Sequence, residues 1–418
     1  MLHDLKPEKQ PRFRTRKFTP RKFFETMTHL IGGANEEGYS HALARAFGEK
    51  AEYAPVKSSL AKLRKKISYK FFEEIFSKLL RQLDPYSERY LGLRIYAIDG
   101  QMLSIPRSKE IVDAGYSGRA IGKFRESYYP KAFFTHAYDV LSGFTKATSF
   151  GPRLHEQADG LMLMKSFERE SLTLYDRLYF SRRLVAAHYE AGNYFLCRIR
   201  KNANREITAF VASAEKERTI KVAQHSVHLM RILASDKKTV LLFATNLPKE
   251  LVRPQIIRKL YRLRWEVETS FRELTGITRG EQWHSKNVNG LLQELFARLW
   301  LINAAKFEVR MAKEERQAER EGKISKTKKG KKSKKTIKAG KNPLRDDYER
   351  ANFKLTYNLL LMLFPKILSG NHRAVRFLRQ QTKKSTEQRT HEKRSYKREI
   401  KKSVSPYKRK STLWQWER

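Results

Sequence analysis

Residues 259–275 read KLYRLRWEVETSFRELT. No proline or glycine interrupts the run. Leu260, Leu263, Val267, Phe271 and Leu274 recur at helical steps, which predicts one helix with a single apolar face. Tyr261, Arg264, Glu268 and Arg272 recur at the same steps on a second face, so their side chains stack along one line. A glutamate flanked by an arginine one turn before and one turn after it can be an ion-pair ladder on a solvated surface. It can also be a carboxylate that holds a cation while its neighbours hold phosphates.

The whole composition favours the second reading. Lys and Arg number 88 against 44 Asp and Glu, a formal charge of +44 over 418 residues. Such an excess calls for a polyanionic partner, most simply nucleic acid, bound with strong salt dependence. A membrane is the competing polyanion. No stretch approaches the roughly 20 apolar residues of a membrane span, and the first residues, MLHDLKPEKQ, lack the apolar core of a signal peptide. The expected location is intracellular. A hydrophobic content of 40% is enough for a buried core. The single cysteine, Cys197 in NYFLCRI, reads as a buried strand residue and excludes an internal disulfide.

The chain divides by pattern. Residues 1–18 read as a flexible basic arm and 19–88 as an N-terminal helical DNA-binding domain, with Arg64, Lys65 and Lys66 on a DNA-facing edge or a solvated face. Residues 89–322 and 342–370 carry the strands and core helices. Within them LRIYAIDGQMLSIP reads as a strand, a bend at Asp99-Gly100 and a second strand. LTLYDR, a helix, Gly192 and NYFLCRI make a βαβ unit with Asp176 at the end of its first strand. Residues 202–246 read as a β-rich insertion of short strands, REITAFVAS among them. Asp139 reads as a turn residue and His136 as a packed strand histidine. Residues 323–341 read as a Lys-rich disordered insertion, and 371–418 as a basic tail.

The order Tyr261, two residues, Arg264, three residues, Glu268 resembles the signature around the catalytic glutamate of the IS4 family of transposases, the group that includes the Tn5 and Tn10 transposases. The resemblance implies an α/β fold: an RNase H-like mixed sheet flanked by helices, with a β-rich insertion and an N-terminal helical domain. It implies that Asp99, Asp176 and Glu268 are the catalytic carboxylates and hold two Mg²⁺ (or Mn²⁺) ions, Asp99 bridging them. All-oxygen ligation suits such hard cations. The implied reaction nicks DNA at the element's end, passes through a hairpin and joins the 3′-OH to target DNA. Double-stranded DNA is the implied partner, as terminal inverted repeats and target, with a homodimer in the synaptic complex and a cytoplasmic, nucleoid-associated location. Tyr261, Arg264 and Arg272 would grip phosphates, and Trp265 would stack on a base or pack in the core. The lysine usual seven positions after the glutamate is Thr275 here, and Arg272 or Arg279 would stand in for it. A Mg-dependent nuclease on the same fold and an inactive DNA-binding relative are the alternatives.

Overall fold

The computed structural model describes residues 18–32, 38–48, 54–118, 127–153, 155–233, 239–328 and 349–388. The basic arm up to residue 17, residues 329–341 of the Lys-rich segment, and the end of the tail with Trp414 and Trp416 lie outside the described residues.

Four helices come first: α1 (Pro20–Gly32), α2 (Tyr39–Phe47), α3 (Lys57–Lys66) and α4 (Lys70–Leu83). The central part runs β1 (Ile95–Ser104), α5 (Lys109–Asp113), β2 (Lys131–Asp139), β3 (Phe144–Gly151), α6 (Glu156–Met164), β4 (Leu172–Tyr175), α7 (Arg182–Ala191) and β5 (Tyr194–Arg198). It continues through α8 (Arg205–Ala212), β6 (Glu217–Val222), β7 (His225–Leu233), β8 (Val240–Thr245), α9 (Pro254–Arg262) and α10 (Trp265–Arg272). The last elements are α11 (Val288–Lys328), β9 (Glu349–Ala351), α12 (Phe353–Leu368), α13 (His372–Lys384) and β10 (Thr386–Gln388).

Eight strands form one mixed sheet in the order β3-β2-β1-β4-β5-β8-β7-β6. β1, β4 and β5 are parallel, and β2, β3, β8, β7 and β6 join antiparallel at the two sides. This is an RNase H-like sheet with helices on both faces. The two-residue alternation of β1 divides it between two cores. Tyr96 and Ile98 pack with Tyr179, Val185 and Phe210. Ile95, Ala97 and Leu103 pack with the helices before and after the sheet.

Several elements differ from the sequence reading. β1 does not bend at Asp99-Gly100: both residues stay in register with β2, opposite His136 and Thr135. The Asp-Gly pair therefore lies inside a ten-residue strand. REITAFVAS is helix α8, not a strand. Asn204 caps it by accepting from the Ile207 N–H at 2.7 Å, and Ile207 and Phe210 bury one face. The alternating run TIKVAQHSVHL is a hairpin, turning at Ala223 and Gln224 with φ of 48° and 66°, the left-handed pair that a tight two-residue turn requires. The strands of this stretch extend the main sheet, because β8 pairs with β5. Helix α11 runs on to Lys328, covering the start of the segment expected to be disordered. The expected tail also begins with structure. Ala374, Leu378 and Thr382 bury one face of α13, and Arg379 pairs with Glu308 (2.9 Å) and Glu315 (3.1 Å) on α11.

The N-terminal helices share a core with the C-terminal ones. The Phe24 ring lies 5.7 Å from Phe72, 5.2 Å from Trp300 and 5.9 Å from Phe364. Arg64 is not on a DNA-facing edge. It is buried, with its guanidinium against Glu294 (2.7 Å), the Gly290 carbonyl (3.0 Å), the Tyr39 hydroxyl (2.7 Å) and Gln293 (3.2 Å). Burial alone would raise the Glu294 carboxyl, but Arg64, His284 and Arg298 together draw it down to about 2. Removing one partner of such a pair strands a buried charge. Glu294→Ala should cost about 3–5 kcal/mol in urea unfolding, whereas Lys65→Ala, at an exposed position, should stay within about 0.5 kcal/mol.

Candidate active site

The catalytic helix expected over residues 259–275 is three segments. α9 ends at Arg262, and the chain then tightens: the N–H groups of Leu263, Arg264, Glu266 and Val267 each bond the carbonyl three residues back. This spacing overwinds the backbone relative to an α-helix and re-aims α10 relative to α9. It turns Arg264 inward, where it is 8% exposed. After α10 the chain makes a wide turn over Glu273–Ile277, closed by the Thr278 N–H on the Glu273 carbonyl five residues back (2.9 Å). Wide turns of this kind recur at functional sites. This one delivers the Glu273 carboxylate to Lys306 of α11 (2.7 Å), which also donates to the Tyr138 hydroxyl (3.0 Å).

Arg264 joins the two acids that the sequence separates most widely. One terminal nitrogen lies 3.1 Å from Asp99 Oδ2 and the other 2.9 Å from Glu268 Oε1. Asp99 lies on the face of β1 that packs against α10. Its cross-strand neighbour His136 bonds Thr145 (2.9 Å) and Ser270 of α10 (3.3 Å), so the histidine seats the helix over the aspartate. Burial, then Lys306, holds His136 down at about 3, so it is neutral.

Asp176 follows the last residue of β4, at the carboxyl ends of the parallel strands. Its Oδ1 accepts from the Leu178 N–H (2.6 Å), and its carbonyl accepts from the Cys197 thiol (3.0 Å). It does not cap α7, because the Ser181 hydroxyl does so by accepting from Leu184. Asp176 is close enough to Asp99 to act on it electrostatically. Burial is the main cause that lifts the Asp99 carboxyl to about 6. Arg264 and the Gly100 N–H oppose the rise, and Glu156 and Asp176 add to it.

Glu156 is a fourth acid that nothing in the sequence singled out. It opens α6 and accepts from the Tyr179 hydroxyl (2.9 Å). A side chain at Gly100 would come within 2.9 Å of it, so the glycine after Asp99 is the space in which Glu156 lies. Likewise a Cβ at Gly160 would stand 2.8 Å from the Tyr179 ring, and its absence lets α6 lie close on β1.

The other expected residues spread around this centre. The Tyr261 ring packs on Phe243 (4.8 Å). Trp265 is 48% exposed, so it is not a core residue, and the Arg264 guanidinium lies 5.1 Å from its ring centre. Arg272 is exposed and donates to Thr269 (3.1 Å). Arg279 is exposed with a left-handed backbone, φ 52°. Asp139 is away from the acids: it closes the turn after β2 by accepting from the N–H groups of Leu141 (3.2 Å) and Ser142 (3.0 Å).

A family model described as the transposase DDE domain matches residues 90–304. The chain belongs to that family. The matched span contains Asp99, Asp176 and Glu268. No curated protein matches the chain. Among solved structures, a piggyBac transposase, seen by cryo-electron microscopy in a synaptic complex with hairpin DNA, resembles it with a TM-score of 0.44. That match has 12% identity and covers 90% of this chain and 78% of the other.

Whether the residues of this DDE domain suit divalent ions can be judged from the donors. They are all carboxylates, the set hard cations take. Burial raises the Asp99 carboxyl although Arg264 draws it down, and Glu156 and Asp176 add smaller repulsions. Among the described residues no three side chains of Asp, Glu, His or Cys stand at the mutual distances of a formed metal site. The donor chemistry fits, and closer ligation needs side-chain movement around Arg264.

Asp99 keeps its proton to about 6 in the folded chain against 3.8 for the free side chain. The folded state thus binds more protons than the unfolded state between those values, and stability falls as pH rises through that window. Two pK units correspond to roughly 3 kcal/mol. Asp99→Asn should therefore gain on the order of 2–3 kcal/mol over the parent between pH 4 and pH 7 in urea unfolding. Parallel pH profiles for the two proteins would refute the assignment.

Proposed function

We propose that the chain is the transposase of an insertion sequence of the IS4 type, cutting DNA at the element's ends and joining the freed 3′-OH to target DNA. The observation that carries this is the single guanidinium of Arg264 between Asp99 and Glu268, spanning 165 positions of sequence to reach Asp99. In a domain of the DDE family, the acids so gathered, with Asp176 beside them, are the ones expected to act.

Asp99, Asp176 and Glu268 would hold two Mg²⁺ or Mn²⁺ ions, which would supply Lewis-acid charge at the attacking and leaving oxygens. The rest is the work of the protein's own side chains. Arg264 would orient the two carboxylates and, with Tyr261, grip a DNA phosphate. Exposed Trp265 offers a face on which an unstacked base can rest, as hairpin formation requires. Arg272 and Arg279 extend the basic rim. Water would nick one strand, and the 3′-OH would attack the opposite strand to close a hairpin. Opening that hairpin would leave the 3′-end that joins the target. The partners in this proposal are double-stranded terminal repeats and target DNA, held by a homodimer in a nucleoid-associated complex.

Thr275 favours a second reading, an inactive relative; a nuclease without strand transfer is the other alternative. Its hydroxyl donates to the Phe271 carbonyl (2.8 Å), so this position offers no cation.

With an end-bearing duplex and Mg²⁺, Asp99→Asn, Asp176→Asn and Glu268→Gln should each lower cleavage by on the order of 10³-fold while duplex binding persists. Mn²⁺ should raise the melting temperature of the parent and not of these variants. A pre-cut 3′-OH end separates the two readings, since only a transposase joins it to a second duplex. Cleavage that survives all three substitutions would remove the acids from the chemistry.

A further inference from the structure

A pocket of about 360 Å³ opens beside Asp176. Arg177, Arg198, Arg200 and Lys201 line it, over a wall made by Val240 and Leu242 of β8. No acid is among its lining residues. Among the described residues none of these four side chains meets a carboxylate, although Arg218, Arg231, Arg264, Arg310 and Arg379 all find acceptors in the fold. Four like charges converging on one concavity repel each other in the free protein, and a polyanion relieves that repulsion.

The pocket is built by the fold. Arg177 follows Asp176 at the end of β4, and Arg198 ends β5, the next parallel strand. The chain beyond is pinned by the Ile199 N–H on the Leu242 carbonyl (2.9 Å), and Arg200 and Lys201 follow it on the lining of the pocket. All four cations thus gather at the carboxyl ends of the parallel strands, the end of the sheet where Asp176 lies.

A path joins it to the acids. Arg198 stands opposite Phe243 in the sheet, and the Tyr261 ring rests on Phe243. Arg264, Arg198 and Asp176 all act on the Tyr261 hydroxyl, which burial pushes up to about 12. Arg198 thus lines the pocket and also acts on the Tyr261 hydroxyl, which Arg264 reaches from the side of Asp99.

We infer that this pocket binds the sugar-phosphate backbone of a DNA strand that leaves the acids over Tyr261, gripping it without reading its sequence. The inference rests on the transposase reading for the direction of the strand. Its contacts are to phosphates, so they position the duplex and carry no sequence information.

The test is the salt dependence of binding to a duplex oligonucleotide lacking any element end, measured without divalent ions. Each phosphate contact on duplex DNA contributes about 0.9 to the slope of log affinity against log salt. Arg200→Gln with Lys201→Gln, both exposed, should lower that slope by about 2. A control pair, Lys165→Gln with Arg183→Gln on the groove between α6 and α7, should leave it unchanged. An unchanged slope in the first variant, or an equal drop in the control, would overturn the pocket. Because nothing is cut in this measurement, its outcome is separate from that of the cleavage experiment: a parent that cuts and joins DNA while the slope holds constant sinks the pocket alone. A slope that drops in a protein that never cuts sustains the pocket and ends the transposase reading.

Discussion

Carboxylates gathered in a partly dry cleft repel one another, and the fold must hold a positive charge among them. In this chain that charge is Arg264. It reaches Asp99 only because the backbone tightens between α9 and α10, and it reaches Glu268 because that residue lies one helical turn later. Burial still raises the Asp99 carboxyl, although Arg264 draws it down. Carboxylates gathered in this way are the donor set that hard cations take.

The surrounding structure keeps this arrangement in place from three sides. His136, neutral and buried, ties β2 to Ser270 of α10. Lys306 of α11 takes the Glu273 carboxylate delivered by the wide turn after α10. Gly100 and Gly160 let α6 approach β1 closely enough for Glu156 and Tyr179 to close the remaining side. Helix α11 in turn is held by the N-terminal helices, through the aromatic contacts of Phe24 and the buried pair of Arg64 with Glu294. The helices before the sheet therefore support the site from behind as part of the same core.

Charge is divided in the same spirit. Some of the excess lysine and arginine is used inside the protein, where Arg64, Arg298 and Arg379 hold helices together. Another part is placed where internal acids do not answer it, as in the pocket next to Asp176. A net charge of +44 states that a polyanion is needed, but burial decides which cations can meet it.

The sequence by itself determined the helical character of the stretch around Glu268, the βαβ unit that ends a strand at Asp176, and the apolar helices α11 and α12. Each of these is a local pattern: a period, a turn residue or a charge at a fixed step. It misplaced features that depend on what lies across the sheet. Asp99-Gly100 looks like a turn, yet cross-strand pairing with β2 keeps it extended, and the glycine answers to Glu156 far along the chain. REITAFVAS looks like a strand because its β-branched residues are read without Asn204, whose cap makes it a helix. Arg64 looks like a surface cation until Glu294 is seen beneath it. Only the tertiary structure decided that Arg264 joins Asp99 to Glu268, because a salt bridge is fixed by distance in space, and distance in space between residues far apart in sequence is set by the packing of the whole core.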